Sequence, residues 1–128
     1  MSAYKVILKT LIFTLLAFTS ACKKDAGPGG KNSINGTIVY KNGATGGNSA
    51  AAGATVYIYY GTHSAKTEFD QAILTDANGK YQFNTLHKGK YFIKAEYRDA
   101  NGFNYSTAGY AIELKNKKNT LEVNITLE

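Results

Sequence analysis

The sequence predicts an all-β protein: a seven-stranded antiparallel β-sandwich with Greek-key connections, set behind an N-terminal leader and a tether. Three observations carry that reading. Apolar and polar residues alternate with a period of two along Leu121-Glu122-Val123-Asn124-Ile125-Thr126-Leu127-Glu128, and again in several earlier runs. The string Asp-Ala-Asn-Gly occurs at 76–79 and at 99–102, each time between strand-like segments. Beyond the leader, no window carries a helical period.

Residues 1–21 read as a targeting segment. Lys5 and Lys9 give it a positive start, and Leu11–Phe18 is an apolar run too short to cross a bilayer as a permanent helix. Thr19-Ser20-Ala21 then supplies the small residues a signal peptidase needs, and the chain's single cysteine follows at once. Ser20-Ala21-Cys22 resembles the lipobox of bacterial lipoproteins, in which the cysteine sulfur takes a diacylglycerol before cleavage; Thr19 stands where an aliphatic residue is commonest. The resemblance implies loss of 1–21, acylation of Cys22 with fatty acids such as palmitate, and a membrane partner held through those chains. Its expected location is the bacterial envelope, at the outer membrane. Cys22-Lys23-Lys24-Asp25 is a partial match to a charged signal for the cell surface but lacks its second acid, so the membrane face stays open. Residues 22–32 are polar and rich in Gly, with one Pro, and read as a flexible tether whose Lys23, Lys24 and Lys31 can meet anionic headgroups.

What remains, residues 33–128, is enough for one domain. With one cysteine in 128 residues, no disulfide can form within the chain, so the core must stand on packing alone. The precursor carries a formal charge of +6, of which Lys5 and Lys9 contribute two. The remaining excess is scattered, and its tightest cluster, Lys115-Asn116-Lys117-Lys118, reads as a solvated turn; no nucleic-acid partner is expected.

The strands follow in order. Ile34–Tyr40 comes first, then a Gly, Ala, Ser and Asn loop from Gly43 to Gly53 that reads as a mobile connection. Ala54–Tyr60 is β-branched and aromatic, with Val56 and Ile58 on one side and Tyr57 and Tyr59 on the other. Ala72–Thr75 and Lys80–Asn84 flank the first Asp-Ala-Asn-Gly string. Lys90–Tyr97 points Tyr91, Ile93 and Ala95 inward, and Phe103–Leu114 and Leu121–Glu128 complete the seven. In the turns, Asn-Gly supplies positive φ angles and Asp braces the backbone. A calcium loop is disfavoured, since Asp76-Ala77-Asn78-Gly79-Lys80-Tyr81 places glycine too early and lysine at a ligand position.

Gly36-Thr37-Ile38-Val39, Gly53–Ile58, Leu74–Phe83 and Leu86-His87-Lys88-Gly89-Lys90-Tyr91 resemble motifs of the carboxypeptidase regulatory-like domain family. These are transthyretin-like (prealbumin-like) sandwiches, and the likeness spans roughly residues 34 to 127. It implies the fold and an accessory or structural role, with no activity of its own.

Chemistry known on related folds finds little here. Transthyretin-like hydroxyisourate hydrolases need converging His and Arg and a Tyr-Arg-Gly-Ser ending, whereas this chain has His63, His87 and Arg98 and ends Thr126-Leu127-Glu128. An internal Lys–Asn isopeptide bond would draw on Lys41, Asn124 and Glu96, but period two turns Asn124 and Glu96 outward. The two histidines lie in loops without the spacing of a metal site. No catalytic residue, metal or cofactor is assigned. The remaining feature is aromatic: Tyr57, Tyr59, Phe92 and Tyr97 are expected outward, where they could contact a polysaccharide or another envelope protein. The sequence thus points to a non-enzymatic, lipid-anchored envelope sandwich with a structural or interaction role. The alternative is a carbohydrate-binding accessory lipoprotein.

Overall fold

A computed structural model describes residues 25–128; the leader and Cys22 lie outside the described residues. Ten strands run in order: β1 (Pro28–Lys41), β2 (Asn48–Ala50), β3 (Thr55–Tyr60), β4 (Gln71–Leu74), β5 (Lys80–Leu86), β6 (Gly89–Arg98), β7 (Asn104–Ser106), β8 (Tyr110–Leu114), β9 (Thr120–Glu122) and β10 (Ile125–Leu127). They form two five-stranded sheets and no described residue is helical, so the all-β sandwich expected from the alternation is the observed class.

The first sheet is built on β1. β5 and then β2 pair antiparallel along one edge of it, while β9 and then β10 pair parallel along the other. The sheet is therefore mixed where an antiparallel one was expected. The cause is the crossover after Leu114, which brings the chain back beside the start of β1 running in the same direction. The second sheet is antiparallel throughout, in the order β4, β3, β6, with β8 and then β7 along the far edge of β6.

All seven expected strands are present, and the extra three have local causes. Phe103–Leu114 is interrupted at Thr107–Gly109, where only the Thr107 N–H reaches across, to the Ala95 carbonyl at 3.3 Å. Leu121–Glu128 is interrupted at Val123–Asn124. There the Val123 N–H donates to the Asn35 carbonyl (2.7 Å), and the Thr37 N–H donates to Asn124 Oδ1 (2.9 Å), a side chain standing in for the backbone. This close approach is why position 36 is glycine: a Cβ there would lie 1.9 Å from the Val123 carbonyl oxygen. The third extra strand, β2, arises inside the loop expected to be mobile. A turn at Asn42–Gly47 folds the chain back onto β1, and Ala51 is fully buried.

Period two decides the core. Val56, Ile58, Tyr91, Ile93 and Ala95 face inward and are buried, as are Tyr81 and Phe83 from β5 and Ile125 and Leu127 from β10. Each such aliphatic side chain contributes about 1.5–3 kcal/mol relative to exposure. Every residue of this core, and of the apolar residues packed on it, lies between Ala26 and Leu127. The paired turns match their sequence. In each, the Asp side chain accepts two backbone N–H groups at 2.9 Å (Asn78 and Lys80 on Asp76, Asn101 and Phe103 on Asp99), and the closing Gly79 and Gly102 have positive φ.

The boundary of the domain differs from the expectation. The tether placed at 22–32 is strand from Pro28 onward, with Asn32 buried, and Gly27 is already bonded into the fold. Tyr91, wholly buried, donates its hydroxyl to the His87 carbonyl (2.6 Å) and accepts the Gly27 N–H (2.8 Å), while the His87 N–H donates to the Gly27 carbonyl (2.8 Å). Composition suggested an open chain, but small residues also let two backbones approach closely.

Among the described residues, Thr75 is one of two buried polar residues. Its hydroxyl donates to the Ala51 carbonyl and accepts the Ala54 N–H (2.9 Å), and its backbone bonds Ala54 and Gly53, so it closes the β2–β3 connection. Thr75→Val keeps the shape but strands two buried backbone groups, and should lower stability by about 1–3 kcal/mol in urea unfolding. Thr75→Ser should stay near the parent, and an unchanged Thr75→Val would show that this clamp contributes nothing.

Candidate functional site

The four aromatic positions expected to face solvent separate into three environments. Tyr59 and Phe92 are cross-strand partners on the outer face of the second sheet, as alternation requires, yet they are only 3% and 8% exposed. Their rings meet edge to face at 5.9 Å, and Phe92 is covered by the backbone at Gly109, where a Cβ would lie 2.2 Å from its Cζ. Parity located them correctly, but both are buried, Phe92 beneath the strand interruption at Gly109, so they offer no open face to a ligand.

Tyr97 is on the opposite face. It shares the parity of Tyr91, Ile93 and Ala95, and it packs with Tyr40 and Tyr105 at ring-centroid distances of 4.8 Å and 6.3 Å. Tyr40 and Tyr105 lie 4.9 Å apart, so three tyrosines seal one end of the core. The outward expectation for Tyr97 is corrected by its own register.

Tyr57 alone remains half-buried on the outer face. Its ring lies 5.0 Å from Phe69, Lys94 Nζ sits 5.5 Å from its centroid, and its hydroxyl donates to Glu96 Oε1. Phe69 is 50% exposed and Leu74, on the same sheet, is 68% exposed. Sequence reading passed over both, although the parity of β4 places Leu74 outside.

A separate hollow of about 460 Å³ lies at the end of the sandwich opposite the start of β1. Asn42, Asp99, Asn101, Phe103, Asn104 and Tyr105 line it, and Phe103 is 65% exposed. Its signal in the sequence is an aromatic residue directly after an Asn-Gly turn, where no core position is available.

The remaining polar groups are engaged locally. His63 Nε2 lies 3.2 Å from the Ile112 carbonyl and His87 sits against Gly29. Among the described residues no group of three or more His, Asp or Glu side chains could hold a metal ion. Lys41 is at the end of β1, while Asn124 binds Thr37 in the first sheet and Glu96 binds Tyr57 in the second, so the three do not converge.

The hydrogen bond to Glu96, followed by burial, pushes the Tyr57 phenol up to about 12. Burial drives Tyr81, whose hydroxyl donates to the Val123 carbonyl at 2.6 Å, in the same direction. An unfolded tyrosine ionises near pH 10, so the stability these phenols contribute is complete below about pH 10 and is lost as pH rises toward 12. A tyrosinate absorbance titration should show late-ionising phenols, with Glu96→Gln moving Tyr57 back toward 10. If Tyr57 ionises with the exposed tyrosines in the parent protein, the Glu96 bond is absent in solution.

The comparisons bear on the fold. No curated protein matches the chain. Among solved structures, a candidate carbohydrate-binding protein from Pseudomonas aeruginosa aligns with a TM-score of 0.54 at 16% identity, covering 84% of this chain and 93% of that one. The minor pilin of the Gram-positive pathogen Streptococcus agalactiae aligns with a TM-score of 0.52 at 21% identity, over 80% of this chain and 44% of the pilin. At these identities the likeness is one of architecture. The model of the SpaA prealbumin-like fold domain matches residues 36–128, from the glycine that admits Val123 to the last residue. This chain belongs to the SpaA prealbumin-like fold domain family.

Proposed function

We propose that this protein is a lipid-anchored module of the bacterial envelope that works by presenting its sandwich as a structural or binding surface, without catalysis. The observation that carries the reading is the meeting of leader and fold. The leader ends at Ala21, directly before Cys22, and Gly27, five positions after that cysteine, is already bonded to Tyr91. An acylated Cys22 would hold such a domain directly against the membrane. The carboxypeptidase regulatory-like motifs, and the likeness in fold to a pilin and to a candidate carbohydrate-binding protein, support an accessory role outside the cytoplasm. The scattering of His63, His87, Arg98 and the carboxylates supports a role without turnover. Metabolic labelling with an alkyne fatty acid should mark the protein, and Cys22→Ala should abolish the label. Label retained in that variant would remove the anchor from the proposal.

Carbohydrate binding is the second reading, now favoured by the Phe103 hollow instead of the tyrosines of the outer sheet face. An exposed ring beside amides and a carboxylate suits a sugar, whose faces are apolar and whose rim is polar. A glycan array probed with residues 25–128 tests it. Binding should fall about tenfold in Phe103→Ala, the scale of one truncated contact residue. No retained polysaccharide would eliminate this reading.

A further inference from the structure

The lysines that look scattered in the sequence are gathered by the fold. β1 begins beside the β5–β6 turn, with Pro28 and Asn32 both opposite Leu86, and β6 begins opposite the end of β8, with Gly89 on Leu114. The loop after β8 is pinned to the same place: Asn32 Nδ2 donates to the Asn116 carbonyl (2.7 Å) and the Ser33 N–H to the Asn119 carbonyl (2.9 Å). One end of the sandwich therefore carries Lys31, Lys88, Lys90, Lys115, Lys117 and Lys118, all exposed. A shallow hollow of about 720 Å³ there is lined in part by Asp25, Lys88, Lys90, Glu113 and Lys115. Among the described residues, the acids of this end are Asp25, Glu113 and, on the neighbouring loop, Glu68 and Asp70, the last paired with Lys66 at 2.9 Å. The opposite end has Lys41, Lys80 and Arg98 set against Asp76, Asp99 and Glu128, and carries no such excess.

This lysine end is also where the chain arrives from Cys22. Three residue-to-residue steps lead from Cys22 to Asp25, and a fully extended chain covers about 11 Å in that interval. Lys23 and Lys24 fall inside it. The screening length at physiological ionic strength is about 8 Å, so charges held this close to a membrane still feel its surface potential.

We infer that the lysine end of the sandwich is a membrane-docking surface that seats the domain on anionic phospholipid headgroups. The inference rests on the lipid-anchored reading for its geometry, but the surface itself is testable without the anchor. Docking through this end fixes the orientation of the domain: the long axis of β1 stands away from the bilayer, and the Phe103 hollow faces outward.

The test uses residues 22–128 with Cys22→Ser, which carries the entire core and no lipid, so its result does not depend on whether Cys22 is acylated; the alkyne label reads that separately. The protein should partition onto phosphatidylglycerol-containing vesicles and not onto phosphatidylcholine vesicles, and salt should release it. The triple variant Lys115→Gln, Lys117→Gln, Lys118→Gln should weaken partitioning about a hundredfold, near fivefold per lysine. Lys41→Gln, Lys80→Gln, Arg98→Gln removes the same charge from the opposite end and should leave it nearly unchanged, with thermal melts confirming that both variants fold. Equal loss in the two variants, or no partitioning onto anionic vesicles, overturns the inference. So does retention by soluble dextran sulfate in place of vesicles, which would make the surface a polysaccharide site.

Discussion

Both hydrogen-bonding edges of β1 are occupied, and the first sheet exists because of it. β5 and β2 line one side and β9 and β10 the other, so four strands share one backbone. That arrangement demands a central strand long enough to serve all four, which β1 achieves over 14 residues. It also demands that the returning chain come close. Gly36 leaves room for the Val123 carbonyl, and Asn124 replaces a missing backbone acceptor for Thr37. The family match begins at this glycine, where the demands on β1 are most restrictive.

Legibility in the sequence followed the range of the forces involved. Strands and turns come from neighbours in sequence, and alternation placed Val56, Ile58, Tyr91, Ile93 and Ala95 in the core, while the two Asp-Ala-Asn-Gly strings became turns of matching geometry. Coverage of an outer face depends on which distant segment returns over it. Tyr59 and Phe92 have the parity of exposed residues but are buried, Phe92 under the backbone at Gly109, a feature no local pattern announces. Tyr97 was a different case, since the alternation that buries Ala95 already turns it inward. The parallel pairing of β9 and β10 was invisible because period two is the same in either direction.

The candidate site was legible only in kind. An aromatic surplus with few convergent titratable groups argued for contact surfaces over catalysis, and the fold then redistributed those aromatics. Three tyrosines close one end of the core, Tyr57 is braced by Lys94 and Glu96, and Phe103 is left outside. The lysines show the converse effect. Separated by up to 87 positions in the chain, Lys31 and Lys118 come to one end because β1, β6 and the loop after β8 all meet there.

The parallel pairing of β1 with β10 has a mechanical consequence. If tension entered at the start of β1 and left at the far end of β10, it would run along both strands in opposite senses. The bonds at Ile38, Val39 and Tyr40 would then be loaded together, in shear, instead of being peeled one after another as in an antiparallel hairpin pulled from its open end. Glu128 adds a backbone pair to Ser106 of the second sheet, at 3.2 Å and 3.3 Å, so the strand under strain is fastened to both layers. A domain tied down at its start and gripped at its end resists extension through its topology, before any single side chain is considered.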